Sequence, residues 1–143
     1  MVNATADLLG QNTSVFVDIT GAVAAMNAWP LTGVNPAYCR ALLTNIVGRN
    51  WDSRTPYADT AEAFEDVTYK KGKAQEVFAL DTGSYTNEGN FLDPNYLTDF
   101  YGDTRPTLEA AKMKYDPTKL FYCATCIGSQ SWVQEAGGHV CTV

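Results

Sequence analysis

The period of the apolar residues changes once along this chain, and that change limits the folds open to it. In Ser14-Val15-Phe16-Val17-Asp18-Ile19-Thr20 the β-branched residues alternate at Val15, Val17 and Ile19. That is the two-residue period of a strand, and Gly21 ends it. From Thr55-Pro56 the spacing becomes helical: Pro suits a first turn, and Tyr57, Ala61, Phe64 and Thr68 share one face. Gly72 interrupts the pattern, Ala74, Val77 and Phe78 resume it, and Asp81-Thr82-Gly83 stops it. A short helix fits Pro94 to Phe100 and a longer one Pro106 to Tyr115. In the longer helix Leu108, Ala111 and Tyr115 share a packing face, and Lys112 and Lys114 sit where the dipole favours cations. Asp116-Pro117 ends it. The stretch Ala22 to Asn35, with Trp29-Pro30 and Gly33, reads mainly as loop. Ala37 to Val47 fits either period. Strands followed by helices give an α/β (α+β) class. Without an internal repeat, low-complexity tract or clear linker, 1–143 reads as a single domain.

Charge narrows the function classes. A net charge of −6 argues against a nucleic-acid surface, which needs clustered Lys and Arg. The one basic run, Lys70-Lys71-Gly72-Lys73, reads as a solvated helix end. No apolar stretch approaches the ~20 residues needed to span a bilayer. The N-terminal residues lack the basic and apolar regions of a signal peptide. Sequons at Asn3 and Asn12 are compatible with a secreted ancestor.

The four cysteines, Cys39, Cys123, Cys126 and Cys141, admit several readings. A thioredoxin-like C-x-x-C needs a helix N-terminus, and Ile127 to Trp132 carries no helical pattern. A zinc site from Cys123, Cys126, His139 and Cys141 has suitable ligand types, but His139-Val140-Cys141 is unlike knuckle spacing, so no metal is expected. The structural reading has Cys141 tying down a loose Gly137-Gly138 tail by a disulfide to Cys123, Cys126 or Cys39.

One ordered series stands out. Tyr85-Thr86-Asn87-Glu88 is followed by Phe100-Tyr101-Gly102, then Leu108, then Lys112-Met113-Lys114-Tyr115-Asp116-Pro117 and Phe121. In order and spacing it resembles the C-terminal, substrate-side region of berberine-bridge-type (vanillyl-alcohol-oxidase-like) FAD-linked oxidoreductases, with a fungal-like stretch from Asn35 to Trp51. The resemblance implies a partial substrate domain: a few-stranded, mainly antiparallel sheet covered by helices, with Ala37–Val47 as a strand. It implies oxidation of an alcohol or amine carbon by hydride transfer to flavin. A family member grips the FAD pyrophosphate with a Gly-rich stretch in another domain, whereas the 11 glycines here include no G-x-G-x-x-G. FAD belongs to the resembling family, and no cofactor is expected in this chain alone. The flavin would come from an FAD-binding partner chain, or the chain would self-associate.

The same resemblance selects site residues. Tyr85 and Glu88 are candidate catalytic groups, with Asn87, Asn90 and Tyr101 facing substrate or flavin. After Gly83 the segment is expected to run extended, which puts the Tyr85 and Asn87 side chains on one face. The bland alternatives are that Tyr85 fills the core, Asn87 caps a turn and Glu88 is a solvated carboxylate. Three functions remain open for a small-molecule substrate: a substrate-side domain of a flavin oxidase, a cofactor-independent cyclase or isomerase of natural-product biosynthesis, and a non-catalytic binding protein.

Overall fold

A computed structural model describes residues 13–19, 33–135 and 138–143, with backbone alone for 13–19. The sequons and most of the loop expected over 22–35 lie outside the described residues. Two compact units emerge: Met1–Ala28 with Ala37–Thr82, and Trp29–Pro36 with Gly83–Val143.

In the first unit, β1 (Thr13–Ile19) pairs antiparallel with β2 (Leu43–Arg49), with Val15 opposite Val47 and Ile19 opposite Leu43. The strand period therefore wins in the ambiguous stretch, though only from Leu43; Pro36–Cys39 forms a 3-10 turn. Pro56 stands immediately before α1 (Tyr57–Glu65), as its missing N–H permits. Gly72 does not break the chain's helical course. The coil widens into a π-helical turn, Asp66–Lys71, where the Gly72 N–H bonds Val67 O, and then continues as α2 (Gly72–Phe78). Val47, Ala63 and Ala74 are buried, and Trp51 packs edge-on against Phe64 at 5.2 Å.

Two expectations fail in this unit. Val77 and Phe78 do not form a core face here: both are exposed. The Gln75 side chain is turned to the strand and donates to Asn45 O at 2.9 Å, so Val77, about 200° further round the helix, points away. The basic run is not uniformly solvated either, because Lys71 is buried at 2% exposure. Asp66 makes that burial tolerable: its Oδ2 lies 3.6 Å from Lys71 Nζ and 3.4 Å from Arg49 Nη1.

The second unit holds α3 (Tyr96–Tyr101), α4 (Arg105–Tyr115) and the antiparallel pair β3 (Trp132–Gln134) and β4 (Val140–Thr142). Phe100 and Tyr101 form its apolar core. Asn35, buried, donates from Nδ2 to Asp99 O at 2.8 Å, and Ser84 N donates to the same carbonyl at 2.7 Å. Gly102, at φ 47°, lets the chain leave α3 against that amide; a Cβ there would stand 2.7 Å from Asn35 Oδ1. This is a physical reason for the Tyr-Gly pair in the motif.

The Lys-x-Lys-Tyr-Asp-Pro run is a helix stop held by its own side chains. Buried Asp116 accepts from Lys112 Nζ, from Leu120 N at 2.8 Å and from Phe121 N at 3.2 Å. The Lys112 ammonium, helped by those two N–H groups, holds the Asp116 carboxyl below its ordinary range. Tyr115, expected in the core, is 77% exposed, because this stop directs Lys112 and Asp116 inward while Tyr115 lies under the Lys114 ammonium at 5.0 Å. The expected disulfide from Cys141 is absent: Cys123 joins Cys126, and Cys39 and Cys141 are unpaired. Backbone bonding anchors the tail instead, through the β3–β4 ladder and Val143 N to Ser131 O at 3.0 Å.

Candidate functional site

The segment after Gly83 turns rather than running extended. Glu88 N donates to Tyr85 O at 3.0 Å, closing a reverse turn over 85–88. Gly89 lets this turn close over α3: a Cβ there would stand 2.6 Å from Phe100 Cε1. The expected juxtaposition nevertheless arises by another route. Asn87 Nδ2 donates to the Tyr85 hydroxyl oxygen at 2.6 Å, and both side chains lie at the surface of the unit. An amide directed at one lone pair fixes the phenol's orientation, which suits it to a positional hydrogen bond or a proton transfer.

The remaining sequence-derived residues are placed differently. Glu88 is exposed and contributes its backbone N–H to the turn. Asn90 shapes the next turn, with Oδ1 accepting from Leu92 N at 3.0 Å and its carbonyl from Asp93 N at 3.0 Å. Tyr101 is directed inward, 8% exposed, and donates to Thr125 O at 2.9 Å. Burial pushes its phenol up from the ordinary value, with a smaller push from Tyr96; hydrogen bonds from Thr86 and from the Ile127 N–H oppose this. Beside it, the Tyr96 and Ser129 hydroxyls share a hydrogen bond of 2.7 Å.

Thr86, Thr125 and Ser129 thus join the cluster, and sequence reasoning missed all three. Thr86 lies inside the motif, but nothing in its spacing marks it; Thr125 and Ser129 come from a loop without a periodic signal. Among the described residues, no three His, Cys, Asp or Glu side chains converge as a metal site. The first unit has its own open cleft of about 640 Å³, lined by Arg49, Trp51, Asp52, Asp59 and Glu62 among others. It contains none of the candidate site residues Tyr85, Asn87, Glu88, Asn90 and Tyr101.

No family model matches the chain. The FAD-linked oxidoreductase hmp9 of Hypomyces subiculosus is 40% identical over 85% of this chain, which spans 19% of that protein. The crystal structure of the VAO-type flavoprotein MtVAO713 from Myceliophthora thermophila C1 superposes with a TM-score of 0.84 at 32% identity, over 92% of this chain and 23% of that one. The chain is a relative of one part of the VAO-type FAD-linked oxidoreductases. The resemblance drawn from the ordered motifs and the α/β fold with small antiparallel pairing are both borne out. The bifunctional decalin synthase calF of Penicillium decumbens is also similar, 30% identical over 80% of this chain and 20% of that protein. The chain therefore spans about a fifth of the length of these relatives.

Gly83, Gly89 and Gly102 do not form a pyrophosphate cradle. Such a cradle needs neighbouring glycines whose backbone N–H groups face open space. Here a Cβ at Gly83 or Gly102 would meet Asn35, and one at Gly89 would meet Phe100. These glycines make room for the protein's own side chains. No helix among the described residues is long and apolar enough to cross a membrane.

Proposed function

We propose that this chain is the substrate-side portion of a VAO-type FAD-linked oxidase, serving oxidation of an alcohol or amine carbon of a small-molecule substrate. The flavin would supply the hydride acceptor from residues other than those described. This chain contributes the Tyr85–Asn87 pair, with Asn87 orienting the phenol and Tyr85 handling the substrate proton. That surface pair carries the reading, and the chain that holds it is similar to MtVAO713 over 92% of its length.

Apolar exposure supports a covering partner. In the second unit Met113, Tyr115, Leu120 and Phe121 are exposed within ten residues of one another. Soluble monomers rarely leave contiguous apolar patches of more than a few hundred Å² bare. An FAD-binding chain or a second copy would cover such residues.

A second reading has its own support. One similar protein is a decalin synthase, so the second reading is a cyclase or isomerase that would accelerate reaction by holding one substrate conformer. That this chain would do so without a cofactor is part of the proposal. A visible spectrum and native mass of the purified protein separate the two. A flavin band or a larger co-purifying chain supports the oxidase portion. A colourless monomer that cyclises or isomerises a substrate without flavin overturns it in favour of the second reading.

A further inference from the structure

The loop that receives the Tyr101 phenol is itself closed by a bond that thiols can open. Cys123 and Cys126 are joined across two residues, and Cys126 N also donates to Cys123 O at 3.2 Å. Inside this small ring Thr125 is held at φ 63°, a conformation unfavourable for a β-branched residue. The carbonyl that this conformation presents accepts from Tyr101 at 2.9 Å, and the Ile127 N–H just beyond the ring donates back to the same phenol. One residue further, Gly128 at φ 91° leads into Ser129, whose N–H bonds Cys126 O at 3.0 Å and whose hydroxyl meets Tyr96. Both tyrosines of α3 are therefore seated on the backbone that the disulfide shapes.

We propose that Cys123–Cys126 is a reversible thiol–disulfide exchange site whose oxidised form clamps Tyr101, and that an external dithiol opens it. Cys123 is exposed and Cys126 half-buried, so a thiolate reaches the Cys123 sulfur first. It forms a mixed disulfide there as the Cys126 sulfur leaves as thiolate and takes a proton. The reagent's second thiol then displaces Cys123. Two electrons pass to the cysteine pair, the dithiol becomes a disulfide, and the chain gains two thiols. With the ring open, nothing covalent holds Thr125 in the left-handed region. The loop relaxes, and the Tyr101 phenol loses its acceptor. The site differs from a thioredoxin-type centre, because Gly128 opens into the 3-10 turn Ser129–Ser131 rather than a long helix whose dipole would activate a thiol. It is a site acted upon, and it stands independently of the flavin reading.

Maleimide labelling of native protein with intact-mass readout tests this, before and after dithiothreitol at about 1 mM without denaturant. The expected result is two labels before reduction, on Cys39 and Cys141, and four after it. Amide exchange over 124–129 should rise at least tenfold on reduction while β1–β2 exchange is unchanged. The Cys123→Ser/Cys126→Ser variant should reproduce that faster exchange without any reductant. Four labels before reduction, resistance of the disulfide to the dithiol unless denaturant is added, or unchanged exchange over 124–129 in both the reduced protein and the variant would each overturn the proposal.

Discussion

Replacing Gly102 with Ala tests whether the α3 exit is set by backbone conformation and by Asn35 together. Gly102 has φ 47° and ψ −133°, a region essentially confined to glycine, and placing a side chain there costs about 1–3 kcal/mol. The new Cβ would also stand 2.7 Å from Asn35 Oδ1 and 3.1 Å from its Cγ. Asn35 has little room to retreat, since Gly83 lies against the other side of its amide and Nδ2 is committed to Asp99 O. Displacing it sacrifices that hydrogen bond, about another 1 kcal/mol. The combined loss is about 2–4 kcal/mol, read as a lower urea midpoint by tryptophan fluorescence. The double variant Gly102→Ala/Asn35→Ala separates the causes. It removes the obstacle but not the φ constraint, so the two single losses should exceed the double loss by about 1 kcal/mol or more. Strict additivity, or a Gly102→Ala loss below about 1 kcal/mol, refutes the account of Asn35 as the obstacle.

Other perturbations give distinct signatures. Tyr85→Phe keeps the ring and should leave stability within about 1 kcal/mol of the parent, yet reduce turnover or ligand binding about tenfold or more; unchanged binding in a folded variant removes Tyr85 from the site. Because the folded Asp116 carboxyl is held low by Lys112 and two N–H groups, its contribution is fully present above the unfolded value of about 3.9. It fades as pH falls through the lower folded value, so Asp116→Asn should flatten the stability profile below about pH 4 in urea titrations across that range. Asp66→Ala leaves the buried Lys71 ammonium without that carboxylate and should cost about 3–5 kcal/mol, whereas Lys71→Met should stay within about 1.5 kcal/mol by the same urea measurement.

Local pattern carried β1 and the helices, but neither β3 nor β4, whose three-residue strands are too short to show a period. Alternation at Val15, Val17 and Ile19 marked β1, and the helical spacing from Pro106 to Tyr115 marked α4, each within a residue of the observed bounds. The motif order likewise made the family legible, and Tyr85 with Asn87 could be paired because only one residue separates them. These signals are short-range: a strand or helix repeats within a few residues, so its period is written in neighbouring side chains. Which face meets what was a different matter. The pattern made Tyr115 a core residue and Lys71 a solvated one, and packing reversed both. Tyr101 finds Thr125 across 24 residues and Tyr96 finds Ser129 across 33. No periodicity encodes such pairs. They are settled when separate elements close over one another and every buried hydroxyl and N–H must find a partner, a condition that exists only in the folded chain.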